Sequence, residues 1–550
     1  MRFVPSPVAE TVPVAWPGRG TEMALRLREV PLALTEAESL LPSKVAAELG
    51  LEPQAVLDWQ IVRQGIDARR KPRVLRIYTV EFSVADEEEL LRRQGKNPRL
   101  EQAAAPVLPT VVPLGSRHRV LVVGMGPAGL FAALHLARYG LGVTLVERGR
   151  PVEERIGDVR RFWTAGELDP TSNVQFGEGG AGTFSDGKLT TRVNHPWTRL
   201  VLQTLVDCGA PAEILVQAKP HVGTDCLRRV LVNFRTALRQ AGVELLYQSR
   251  LSGFEWAGGA VRAGIIDDRD AIPCDSLVLA PGHSARDTYR MLAEAGVALE
   301  AKPFAMGARV EHPAELINRI QYGFAAHPAL SAADYSLAWN DPDSGRGVYS
   351  FCMCPGGEVV NAASETGGVV VNGMSGQSRA GSYSNSALVV AVRREDFDGA
   401  DPLAGVRFQR RWEEAAFAAG GGDYRAPAQN LLTFLGRGRG ALVSSCRPGV
   451  REAELDRILP PFVVDGLRRA LPHFERRMRG FITAEATLTG VETRTSAPLR
   501  ILRGEDGESV SHPGLYPAGE GAGYAGGIMS AALDGLRVAE QIAVKVGKRE

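Results

Sequence analysis

Three glycines spaced Gly124-x-Gly126-x-x-Gly129, with Glu147 lying 23 residues after the first, have the types and spacing of a chemical site. Gly124 permits a tight turn after a strand, and Gly126 lets backbone come close to a bound pyrophosphate. Pro127 and Ala128 open a helix whose N-terminus directs partial positive charge at phosphate. Gly129 and Ala133 let that helix pack closely on the sheet. Glu147 stands where a carboxylate accepts hydrogen bonds from ribose hydroxyls, which argues against a 2′-phosphate, and Arg148 belongs to the same edge of the site. A glycine triplet alone is weak evidence. Here strand, turn, helix, second strand and acidic end agree, and a dinucleotide site is expected.

Further glycine clusters extend that site. The run Phe176–Lys188 holds Gly177, Gly179, Gly180 and Gly182 beside Thr183 and Lys188, a composition suited to a backbone cradle around a flat polar ring or a phosphate. The run Tyr516–Gly527 carries Gly519, Glu520, Gly526 and Gly527 on the approach to a helix expected from Ile528 to Val544, a second helix N-terminus for anionic groups. A strand at Ser276–Ala280 leads into Pro281, Gly282 and His283, and Thr224 is expected to cap the helix Asp225–Ala241. Approach loops spread over about 400 residues suit an elongated FAD better than a single NAD.

Four side chains are candidates for catalysis. His283 and His221 lie in loops expected near the ligand, where either could move a proton. Cys352 and Cys354 stand two apart, so on a regular strand both would face one way, close enough for redox chemistry or soft-metal binding, although two small buried core residues are the better account of them. Glu492 and Arg494 could orient substrate or pair with each other, and His312 reads as a salt-bridged structural residue. The basic turn Ala68–Arg73 reads as a solvated hairpin tip. No metal-ligand set is evident.

These residues need a framework to hold them. From Arg119 the chain alternates strand, glycine turn, helix and strand, the pattern of a parallel α/β fold. The expected architecture is a Rossmann-like FAD-binding domain interrupted by a β-rich α+β substrate domain and preceded by a small α+β module. The expected boundaries are a Pro-rich leader at 1–20, the module at 21–95, a Pro- and Ala-rich linker at 96–117, the first part of the FAD-binding domain at 118–300, the insertion at 301–481, and the remainder at 482–550. Helices are expected in the insertion around 405–419 and 452–470. Lys and Arg total 64 against 63 Asp and Glu, a net charge of +1 that gives no electrostatic reason to expect nucleic acid. Six cysteines are too few for a disulfide scaffold of this size, and no apolar run approaches a membrane span or signal peptide. A cytoplasmic protein is expected.

The segments IVRQGIDARRKP, NVQFGEGGAGTFSDGKLTTR, KPHVGTD, LAPGHSARDTYRML, YSFCMCPGGEVV, VETRTSAPLRILR and LYPAGEGAGYAGGIMSAALDG together resemble the bacterial family of uncharacterised FAD-dependent dehydrogenases. That family is related to BaiN-like, geranylgeranyl reductase and aromatic hydroxylase flavoproteins. The resemblance runs from about residue 22 to 541, departing at Pro281, where relatives of this fold often carry Thr. It implies a non-covalent FAD and an oxidoreductase acting on a small or medium organic molecule, with NAD(P)H or a protein as electron donor. Alternatives are a monooxygenase of the same architecture and an FAD-loaded binding or RNA-associated protein.

Overall fold

The computed structural model describes residues 24–103, 111–191, 195–397 and 399–548. The expected leader lies outside them, as does the middle of the expected linker. The described chain divides into two units, with residues 67–74 grouped with the larger.

In the smaller unit, Leu25, Leu27, Val30 and Leu32 of the strand Ala24–Ala33 are buried with Leu41, Val45 and Leu49 of the helix Leu41–Leu49. At about 1.5–3 kcal/mol per buried large aliphatic side chain, this single helix–sheet contact is the main source of the unit's stability. Gly50 ends the helix at a φ of +66°. The four-stranded sheet runs in the order Trp59–Arg70, Arg73–Phe82, Ala24–Ala33, Leu100–Ala103. The last strand corrects the expected linker: four residues of the 96–117 stretch pair antiparallel with Ala24–Leu27. The expected basic turn shrinks to Lys71 and Pro72. Its charges are partly engaged, since Arg69 pairs with Asp67 and, within the larger unit, Lys71 donates to the Ile320 carbonyl.

The larger unit is organised by two sheets. The first is parallel, in the order Leu515–Pro517, Ser276–Leu279, Arg119–Val123, Gly142–Val146, Glu244–Leu246. After Arg119 and Ser276, the runs VLVV and LVL are apolar and buried because both faces are covered. Strand order reverses at Arg119–Val123, so the crevice beyond its C-terminal end is the place where such sheets take a ligand. The helices Pro127–Arg138 and Ile528–Gly547 pack together there, with no room for a Cβ at Gly535, which would stand 2.1 Å from the Ala128 carbonyl oxygen.

The second sheet has seven strands, and Phe304–Pro313 lies at its centre between Tyr383–Val392 and Thr487–Glu492. This moves one expected boundary. Thr487–Glu492, assigned by sequence to the resumed FAD-binding domain at 482–550, is an interior strand of the inserted part. The expected helix at 452–470 is found at Pro461–Arg477, started by Pro461 in the first turn where proline is tolerated. The helix Ala404–Gly420 matches its expected position closely.

Candidate active site

A cavity of about 360 Å³ opens at the C-terminal end of the strand Arg119–Val123. Gly124, Gly126, Pro127 and Ala128 form one wall, and the glycines divide by what a side chain would meet. A Cβ on Gly124 would stand 2.2 Å from the Ala280 carbonyl oxygen, and one on Gly129 would stand 1.9 Å from that of Gly124. Those two glycines serve packing, and Gly129 is not part of the cavity surface. Gly126 has no protein atom within 4 Å of its Cβ direction. Its absent side chain leaves space in the cavity itself.

Gly126 is also the N-cap of Pro127–Arg138, and no side chain caps that helix start. Gly527 is likewise the N-cap of Ile528–Gly547, again without a side-chain cap. Gly282, Gly526 and Gly527 also have nothing within 4 Å of their Cβ directions. Two uncapped helix starts and four glycines opening on one cavity fit a ligand with anionic groups at two points along its length. Gly519, Glu520 and Ile528 line the same wall.

Glu147 lies at the cavity edge with its carboxylate fixed by backbone. Oε2 accepts from the Met125 N–H at 2.9 Å, and Oε1 accepts from Gly149 at 2.9 Å and Gly177 at 3.0 Å. Oε2, with a single donor, retains acceptor capacity for a ribose hydroxyl. Arg148 lines the cavity too, held by Asp287 at 3.0 Å and stacked 4.3 Å from the centroid of Phe176.

The loop 173–184 is shaped by a residue that carries no sequence signature. Arg155, fully buried on the helix Val152–Ala165, donates to the carbonyls of Asn173, Val174, Gly177, Glu178 and Gly180 and to the Thr183 hydroxyl. Gly177 and Gly179 are glycine because a Cβ would meet Arg155 at 2.4 Å and Thr183 at 2.3 Å, respectively. Of the expected ligand contacts in this loop, Gly180, Gly182 and Lys188 line the cavity, whereas Gly177, Gly179 and Thr183 stand behind it. Thr224 is not a cap. Gly223 occupies the N-cap of Thr224–Gln240, and the Thr224 hydroxyl donates to the Thr183 carbonyl at 2.5 Å.

The catalytic candidates separate. His283 lines the cavity, its Nδ1 2.9 Å from the Ser284 hydroxyl and its Nε2 3.9 Å from Glu520 Oε1. Burial, with Arg494 and Arg286 nearby, pushes its pKa down to about 3, so the ring is neutral at ordinary pH. Burial pushes Glu520 the other way, up to about 7. His221 is absent from the cavity wall. Its Nε2 lies 3.1 Å from the Gln377 carbonyl oxygen, and the position expected for it is a correction. Cys352 reaches the cavity, whereas Cys354 is buried behind it.

Glu492 and Arg494 do not pair with each other. Glu492 binds Arg309 at 2.9 Å, and Arg494 binds Glu413 at 2.7 Å while donating to Ser284 at 3.0 Å and Ser364 at 2.6 Å. Arg286 also binds Glu413, at 2.8 Å. Burial alone would raise the Glu413 carboxyl, but the two guanidiniums outweigh it and hold the group far below the usual range. His312 accepts no ion pair among the described residues; its Nε2 lies 2.8 Å from the Phe481 carbonyl oxygen. Arg155, Glu413 and Ser284 carried no signal in the sequence, because isolated polar residues have no periodic pattern.

Residues 117–155 match a family model described as an FAD binding domain, and residues 303–495 match one described as FAD-dependent protein, C-terminal domain-like. Residues 25–83 match a domain of unknown function. A Clostridium beijerinckii protein described as uncharacterized is 44% identical over 529 residues, covering 95% of this chain and 99% of its own. Among solved structures, a triple mutant of the flavin-dependent brominase Bmp2 aligns over 78% of this chain and 81% of its own, at 13% identity and a TM-score of 0.36. A geranylgeranyl bacteriochlorophyll reductase-like protein of Thermoplasma acidophilum aligns over 79% and 82%, at 12% identity and a TM-score of 0.32.

Proposed function

Because the chain belongs to the family of FAD-dependent proteins that includes its Clostridium beijerinckii relative, we propose that it is an FAD-dependent oxidoreductase of a small or medium organic substrate. The observation that carries this reading is the convergence of two uncapped helix starts, at Gly126 and Gly527, on one cavity whose edge holds Glu147. When bound, FAD supplies two-electron transfer to or from the substrate.

The chain's own residues supply the rest. Gly126, Gly180 and the start of Pro127–Arg138 would hold the pyrophosphate, and Glu147 would hold the ribose. Gly519, Gly526, Gly527 and Ile528, at the start of Ile528–Gly547, would place the positive end of that helix beside the polar edge of the ring system. Glu520 holds a proton at its carboxyl near neutral pH, and His283, 3.9 Å away and too weakly basic to take it, leaves that proton on the carboxyl for substrate. Only the glycine triplet at Gly124 is followed by a helix and a second strand ending at an acidic residue, so the electron donor is NAD(P)H bound without a fold of its own or a protein. Among the described residues no helix is long and apolar enough to cross a membrane, and we assign the enzyme to the cytoplasm.

The test is anaerobic. The purified protein is reduced with NADH, NADPH or dithionite, and candidate substrates are screened for reoxidation of its flavin. Retention of FAD and reoxidation by an organic compound are expected. A protein that neither contains FAD nor takes it up would overturn the proposal, and oxygen consumed in step with product would turn it towards a monooxygenase.

A further inference from the structure

The strand Gly347–Cys354 does not keep its register to the end. Phe351 pairs with Ala387 and Cys354 with Asn385, so the ladder to Tyr383–Val392 contains one extra residue, a β-bulge. Within it Cys352 takes a φ of +43°, a left-handed conformation that costs a non-glycine residue energy. The bulge leaves Cys352 on the cavity wall and Cys354 buried directly behind it. The Cys354 sulfur lies 3.4 Å from the Cys352 carbonyl oxygen.

Two cations are built around this pair. Arg309 has no solvent exposure, and its Nη1 lies 3.1 Å from the Cys352 carbonyl oxygen and 4.0 Å from the Cys354 sulfur. Lys188 donates to the Met353 carbonyl between them. The Cys354 hydrogen bond first, then Lys188 and Arg309, hold the Cys352 thiol well below the usual range against its burial. The contrast within the molecule is clear. Burial pushes Cys208 up to about 11 and Cys274 up to about 12, and neither reaches the cavity.

We propose that Cys352 and Cys354 form a two-electron dithiol/disulfide couple that exchanges electrons with the flavin of this cavity, a proposal that rests on the FAD reading above. Starting from the Cys352 thiolate and the Cys354 thiol, a sulfur–sulfur bond forms and the Cys354 S–H bond breaks. The two electrons released and that proton pass to oxidised FAD, and the reverse transfer regenerates the thiolate and thiol. Cys352, exposed to the cavity, is the sulfur that an external disulfide or thiol would meet.

The FAD-loaded wild-type enzyme, fully oxidised, is titrated anaerobically with dithionite while its flavin absorbance is followed. Four electrons per FAD are expected, against two in Cys352→Ser and Cys354→Ser. Independently, iodoacetamide labelling read by mass spectrometry should modify Cys352 of the reduced enzyme at pH values well below the ~8.5 of a free thiol, and not at all after oxidation. The wild-type measurements decide without either variant. Full FAD with only two electrons taken up, or Cys352 labelled only near ~8.5, overturns the couple and leaves the cofactor reading standing. A protein without FAD overturns both.

Discussion

At the scale of single residues, glycines of one motif have separable duties, and this makes them testable apart. Gly126 has a φ of −77°, open to any residue, and free space beyond its Cα. Gly126→Val should therefore fold, lose FAD, measured as fluorescence released on heating, and melt at the temperature of FAD-free wild type. Gly129→Ala should fail earlier, as an unstable or insoluble protein, because its Cβ would overlap the Gly124 carbonyl. Glu520 gives a pH prediction. Its carboxyl, raised to about 7, is protonated below that value, so a step drawing a proton from it should slow by about tenfold per pH unit above it. Glu520→Gln should flatten that limb of the rate profile. Sequence reading found Gly126, Glu147 and Glu520 because glycine and acidic residues at fixed offsets are themselves the signal. Gly177, Gly179 and Thr183, expected at the ligand, stand behind the cavity wall: a glycine that makes room for Arg155 or Thr183 has the same letter as one that makes room for a ligand, and the Thr183 hydroxyl serves Arg155.

At the scale of elements, two buried arginine systems hold the cavity walls together. Arg155 ties the helix Val152–Ala165 to the loop beyond it through five backbone carbonyls. Arg155→Met would strand those acceptors at about 1–3 kcal/mol for each one left unsatisfied. The expected result is a loss of at least ~3 kcal/mol in urea unfolding, together with weakened FAD retention. Glu413 joins Ala404–Gly420 to the start of Arg286–Glu294 and to Arg494. Glu413→Ala removes the shared partner of two buried guanidiniums, leaving Glu365 as their remaining carboxylate, and should cost about 3 kcal/mol, the low end for a broken buried pair. Because the Glu413 carboxyl is depressed in the fold, its contribution is complete above the unfolded value of 4.5 and fades as pH falls below it. Acid unfolding of wild type and Glu413→Gln should accordingly converge at low pH. The first strand, glycine turn and helix were legible because their periodicity is local. Thr487–Glu492 was not assigned to its sheet, since a run buried on both faces carries no mark of which partners it has.

At the scale of the whole molecule, ligand and fold are linked. If FAD fills the cavity, removing it should lower the melting temperature, and restoring it to about a hundredfold excess over Kd should return roughly 2.7 kcal/mol. Differential scanning of apo and reconstituted protein measures this directly, and no shift on adding FAD would contradict the assignment. The architecture also has a consequence for how the molecule is made. The parallel sheet is closed at one side by Leu515–Pro517, and the helix starting at Ile528 covers the helix that follows the first glycine turn. That wall is built from residues translated about 400 positions after Gly126. A growing polypeptide exposes Gly126 and Glu147 throughout that interval without the partner surface that completes the cavity. If the cavity holds FAD, a chain released short of residue 528 should be colourless, and pigment content should count the molecules that carry this wall.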